Sequence, residues 1–142
     1  MKCYFTKLVF VLLFLTSCNR LTVSEAKIKF QNTELTFGRI KAGDTITQTY
    51  NFENIGNDTL FIQKVQPSCE CMVADYTSTP VLPGEHGHIK IHYASNKKED
   101  IGKQIKTIIV QTNSDTLLTV LKIIGIVEND SLKKVISQLE RI

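Results

Sequence analysis

The sequence predicts an all-β domain made of two layers of short strands. Three observations point there. Segments such as Thr45–Asn54 and Glu85–Ala94 alternate apolar and polar residues, which marks strands with one buried and one wet face. Turn-forming clusters punctuate the chain at Lys41-Ala42-Gly43-Asp44, Gly56-Asn57-Asp58, Pro83-Gly84-Glu85 and Asn113-Ser114-Asp115. The second half is rich in β-branched residues.

Taken in order, Ile28–Phe30 and Thr33–Ile40 read as strands, and Phe37-Gly38-Arg39-Ile40 leads into the first turn. In Thr45–Asn54, Ile46, Tyr50 and Phe52 share one parity against Thr45, Thr47, Thr49 and Asn51. Thr59–Gln66 is the next strand, with Leu60 and Ile62 on one face. In Glu85–Ala94, Ile89, Ile91 and Tyr93 point inward while His88, Lys90 and His92 face out. Lys103–Thr112 and Thr116–Val127 form a hairpin; the latter is apolar on both faces, so it is either central or covered by the C-terminal segment. About seven to eight such strands indicate an immunoglobulin-like β-sandwich over residues 28–128. Its expected large core fillers are Phe37, Phe52, Phe61 and Tyr93, since the chain has no Trp. Within 129–142 the period changes: Leu132, Val135, Ile136, Leu139 and Ile142 fall on one helical stripe, with Asp130 placed to cap a short amphipathic helix.

The first 17 residues read as a targeting segment. Lys2 and Lys7 precede the apolar run Leu8–Leu15, whose length suits a signal peptide and falls short of the roughly 20 residues a spanning helix needs. Leu15-Thr16-Ser17-Cys18 then resembles the lipobox of bacterial lipoproteins. That resemblance implies that Cys18 becomes the first mature residue and carries acyl chains such as palmitate, with residues 18–27 as a tether holding a periplasm-facing domain at the inner or outer membrane. Removing Lys2 and Lys7 leaves 15 basic against 14 acidic residues, a charge near +1. The basic residues are scattered, so phosphate-driven nucleic-acid binding is not expected. Of four cysteines, only Cys69 and Cys71 remain after Cys3 is cleaved off and Cys18 is lipidated, in a compartment that favours disulfides.

A larger resemblance runs through the domain. The order Phe37-Gly38-x-Ile40, Phe52-x-Asn54-x-Gly56, Asp58-Thr59-Leu60, Cys69-x-Cys71, Leu82-Pro83-Gly84-Glu85, Gly87 and Gln111-Thr112-Asn113 resembles a bacterial domain family of unknown function. Its members carry F-x-N-x-G, Cys-Gly-Cys and Pro-Gly-Glu in that order. They are exported or lipid-anchored, with an immunoglobulin-like fold akin to major-sperm-protein domains. This chain departs from the family by placing Glu70 where the family has Gly, and by its three histidines. The resemblance implies a fold and an address without a reaction.

Cys69-Glu70-Cys71 is the sharpest chemical feature. In an extended strand the two Cα atoms would lie about 6.6 Å apart, near the upper limit for a disulfide, so closure requires a bend. Three readings stand: a resting structural disulfide, a dithiol exchanging with other envelope thiols, or a copper or zinc site. A metal would draw further ligands from His86 and His88, with oxygen from Glu70, Asp75 or Glu85, while His92 reads as solvated. There is no GxSxG, no Gly-rich phosphate loop and no HExxH, so catalysis is not expected and no catalytic residue is assigned. The sequence thus predicts an envelope lipoprotein without a cofactor that binds or scaffolds another envelope protein. Metal or thiol-redox handling at Cys69 and Cys71 is the alternative.

Overall fold

The computed structural model describes residues 23–96, 100–129 and 138. Eight strands run in chain order: β1 (Ile28–Phe30), β2 (Glu34–Lys41), β3 (Thr45–Asn54), β4 (Ile62–Pro67), β5 (Met72–Tyr76), β6 (His86–Ala94), β7 (Gly102–Thr112) and β8 (Leu118–Glu128). They form two four-stranded sheets, one ordered β1-β3-β6-β5 and the other β2-β8-β7-β4. All pairings are antiparallel except β2 with β8. The domain is therefore an all-β, immunoglobulin-like sandwich. The helix expected within 129–142 lies outside the described residues apart from Gln138, and the signal segment and Cys18 lie outside them altogether.

The alternation in β3 and β6 does what the sequence implies. Tyr50 and Phe52 from β3, and Ile89, Ile91 and Tyr93 from β6, are fully buried and meet Ile108, Val110, Leu121 and Ile123 from the opposing sheet. Burying each such side chain contributes about 1.5–3 kcal/mol. Tyr50 also ties the layers together, its hydroxyl donating to the Lys122 carbonyl at 2.7 Å. Burial, reinforced by the charge of Glu34, pushes its phenol well above the ordinary value. β8 is central, between β2 and β7.

Two expectations need correction. The strand expected from Thr59 begins only at Ile62, because Leu60 turns inward and pairs with Val81 in an isolated bridge. Phe61, expected in the core, is 44% exposed: one residue beyond an inward Leu60, it faces the other way. The other expected fillers pack, Phe37 by lying against Gly125 and 5.6 Å from the Tyr93 ring. One strand is added, β5, for which the sequence carries no strand signal. It follows the cysteine turn directly and forms one edge of the first sheet.

Candidate functional site

The two cysteines sit where the chain crosses between layers. β4 belongs to one sheet and β5 to the other, and Ser68–Cys71 makes the corner. The segment is a turn, not an extended strand: the Met72 amide donates to the Cys69 carbonyl at 3.3 Å. This brings the Cα atoms to 5.2 Å, and Cys69 and Cys71 are joined by a disulfide. Glu70 tolerates this because no non-glycine residue among those described has positive φ. The family's glycine is thus dispensable for this turn. Both cysteines are half-buried against the core edge and Glu70 is exposed. The corner is anchored on both sides by backbone bonds, Ser68 N–H to Thr107 O at 2.9 Å and Ala94 N–H to Cys71 O at 3.0 Å.

A polar cluster that the sequence reading missed lies at the same end. The Lys106 ammonium is 2.8 Å from Asp100 Oδ1, with side-chain exposures of 18% and 8%, and stands 5.6 Å over the Tyr93 ring. The Asn96 amide donates to the other Asp100 oxygen at 2.8 Å. Burial works against ionising Asp100, but the Asn96 amide, Lys106 and Tyr93 outweigh it and hold the carboxyl below the ordinary carboxylate value. Tyr93 shows the converse. Burial and the neighbouring Asp100 push its phenol up. Its hydroxyl has no hydrogen bond of good geometry among the described residues, although Asp100 is close enough to affect its ionisation. The only sequence signal for this cluster is an acid and a lysine six residues apart, and that carries no periodic meaning.

The Asp100 geometry fixes a pH dependence. A carboxyl depressed in the folded state contributes stability that is fully present above its unfolded value, about 3.9, and is lost as pH falls through the folded one. Urea-unfolding midpoints measured from neutral pH downward should therefore decline below about pH 4. Asp100→Asn should lower the neutral-pH midpoint and flatten that part of the decline.

The histidines are elsewhere. Ala94, bonded to Cys71, is six residues along β6 from His88 and eight from His86, which places them about 20 and 26 Å away at the rise of a strand. The four residues Cys69, Cys71, His86 and His88 are not brought to one place. Among the described residues no three His, Cys, Asp or Glu side chains cluster as a metal site. His88 and His92 on the outer face stand beside threonines, Nδ1 to Thr77 Oγ1 at 3.3 Å and Nδ1 to Thr47 Oγ1 at 2.9 Å, and His86 is exposed.

The remaining signature residues hold the far end of the sandwich together. Asn54 is fully buried and fully bonded. It donates to Asp58 O at 2.7 Å and Val81 O at 2.9 Å, and accepts from Gly56 N–H at 3.0 Å and Lys27 N–H at 3.4 Å. Gly56 lets the segment before β1 pass close by; a Cβ there would come 2.5 Å from the Lys27 nitrogen. Asn113 clamps the start of β4, accepting from Phe61 N–H at 2.7 Å and donating to Thr59 O at 2.9 Å. In Leu82-Pro83-Gly84-Glu85, the Glu85 carboxylate accepts from the Leu82 amide at 2.9 Å and the Gly84 amide reaches Asn54 O at 2.8 Å.

A family model described as "Protein of unknown function (DUF1573)" matches residues 28–127. The chain belongs to the DUF1573 family. A comparison with curated proteins gave no match. Among solved structures, a Porphyromonas gingivalis W83 protein of unknown function is similar at TM-score 0.65 and 19% identity, over 77% of this chain and 50% of that one. The chain thus spans half the length of that relative. The human CEP192 PapD-like domain 7 is similar at TM-score 0.56 and 12% identity, over 75% and 88% of the two chains. The E. coli chaperone DraB is similar at 0.53 and 9%, over 70% and 54%. At these identities the likeness shows the fold alone, a PapD-like form of the sandwich. Within this DUF1573 domain, Asn54, Gly56 and Asn113 have structural roles, which leaves the disulfide corner as the signature element with chemistry of its own.

The bridge should matter little to stability. It closes a loop of three residues, for which chain entropy gives about 1.6 kcal/mol, less than the 2–4 typical of long loops. A Cys69→Ser/Cys71→Ser chain should fold and lose about that amount in a urea titration.

Proposed function

We propose that this protein is a periplasm-facing lipoprotein, anchored through acyl chains on Cys18, that binds another envelope protein. The observation that carries the binding role is the outer face of the β2-β8-β7-β4 sheet. Directly paired residues place Ile105 beside Ile124, Ile109 beside Val120 and Gln111 beside Leu118. Ile105, Ile109, Leu118 and Val120 are 42–60% exposed on that face. The Thr107–Lys122 pair lies between the Ile105–Ile124 and Ile109–Val120 rows, so the face carries two exposed apolar patches, and exposed apolar patches mark interaction sites. Exposed Lys64 and Lys103 stand at its rim, so the fitting partner presents aliphatic side chains with an acidic border. DraB, which shares the fold, is a chaperone, in keeping with a binding role.

The test places a photo-crosslinking residue at Val120, and separately at Val73 on the other sheet, in the full chain in its native envelope. A discrete adduct from Val120 that Ile109→Glu abolishes, with none from Val73, is the expected result. Adducts only to the chain's own residues 130–142, or equal labelling of both faces, would overturn it. Intact mass should show a chain that begins at Cys18 and carries acyl chains, both lost in Cys18→Ser; a Cys18 without acyl mass would overturn the anchor.

A further inference from the structure

We propose that the Cys69–Cys71 bridge is a thiol–disulfide exchange site whose substrate is a pair of thiols on another envelope polypeptide. The proposal rests on the envelope address given above but not on the aliphatic face. It starts from how little the bridge does for the fold. The sulfurs join residues two positions apart, so the cross-link restricts the unfolded chain only locally. The backbone at the corner is held by other means. Met72 N–H to Cys69 O closes the turn, Ser68 N–H to Thr107 O fixes its entry, and Ala94 N–H to Cys71 O fixes its exit. None of these bonds involves sulfur. Breaking the bridge therefore leaves the two thiols facing each other on the same turn, ready to close again. A disulfide in this setting has two states of one fold.

Access points the same way. Both cysteines are half-buried at the rim of the sandwich, and Glu70 between them is exposed at the tip of the turn. An incoming thiol approaches from solvent, on the side away from the core against which both cysteines pack.

The step balances as follows. A thiolate of the partner attacks one sulfur of the bridge; the Cys69–Cys71 S–S bond breaks and a mixed disulfide forms. The departing thiolate on this chain takes up a proton. The partner's second thiolate then attacks its own sulfur in the mixed disulfide and releases the other cysteine as a thiol. The partner is oxidised to a disulfide by two electrons, and Cys69 and Cys71 are reduced to two thiols. In reverse, the dithiol form reduces a partner disulfide.

The experiment uses the full chain purified in detergent, with glutathione as the probe. Trypsin releases Val65–Lys90 as one peptide carrying Cys69 and Cys71 and no others, so alkylation and mass report the pair alone. Under native conditions the bridge should open and re-close reversibly in graded glutathione buffers, at a rate within about tenfold of that in urea. The reduced chain should keep its β-sheet spectrum. Either Cys69→Ser or Cys71→Ser should hold a mixed disulfide with glutathione in vitro and with a polypeptide in the envelope, absent from the double variant. Native reduction more than about a hundredfold slower than in urea, loss of the sheet on reduction, or no mixed disulfide from either single variant would overturn the proposal.

Discussion

Asn54→Leu should cost the domain about 4 kcal/mol or more. The side chain is isosteric enough to fill the space, so the loss comes from stranding the groups Asn54 now satisfies. The Asp58 carbonyl and the Gly56 amide would be left without their partner and the Val81 carbonyl would keep only the Leu60 amide, with the weaker Lys27 contact also lost. Each buried group left unbonded costs about 1–3 kcal/mol. Against a total of about 5–15 kcal/mol for an ordinary domain, the variant should be marginally folded. Asn54→Asp should not rescue it, because a second oxygen would face the two carbonyls in place of the amide's N–H donors. Urea titration of each variant measures the effect, and a loss below about 1 kcal/mol for the leucine variant would show that the network is not what holds this end closed.

Gly87→Ala carries the second large effect. A Cβ at Gly87 would run into the Phe52 ring, and that ring has nowhere to go: it is fully buried and packs 5.6 Å from Phe30. Overpacking of this kind costs about 1–3 kcal/mol, occasionally more, and the rigid surroundings argue for the upper end. The specific signature is non-additivity. Phe52→Leu alone should destabilise by leaving a gap, but combined with Gly87→Ala it makes room for the new methyl. The double variant should therefore be more stable than the sum of the singles by at least about 1 kcal/mol. Strict additivity would mean that the two positions do not share the contact.

The sandwich was legible because its central strands each have one dry and one wet face. β3 and β6 pair along Thr45–Glu53 and His86–Ala94, and both alternate cleanly. Phe61 was misplaced by its size: it stands between Leu60 and Ile62, both turned to the core, so alternation itself sends it outward. Met72–Tyr76 is too short, and too close to the cysteines, to stand out as a strand. The cysteine pair was recognisable as chemistry, but its geometry was not, since spacing alone describes an extended chain and the hydrogen bond that bends it depends on where β4 ends. The Lys106–Asp100–Tyr93 cluster could not be read at all, because tertiary packing alone brings these residues together. The histidines illustrate the opposite error: His86 and His88 are close to the cysteines in sequence but lie at the wrong end of β6.

The parallel pairing of β2 with β8 bears on the order in which this molecule can be built. Strands β1, β3, β5 and β6 can assemble once residue 94 is available. β2, by contrast, has its hydrogen-bonding neighbour some 88 positions later, as the Glu34–Lys122 ion pair shows. Until β8 is in place, β2 has no strand to pair with in its sheet. Closing so long a loop is slow. The second layer thus locks only when β8 slides in beside β2.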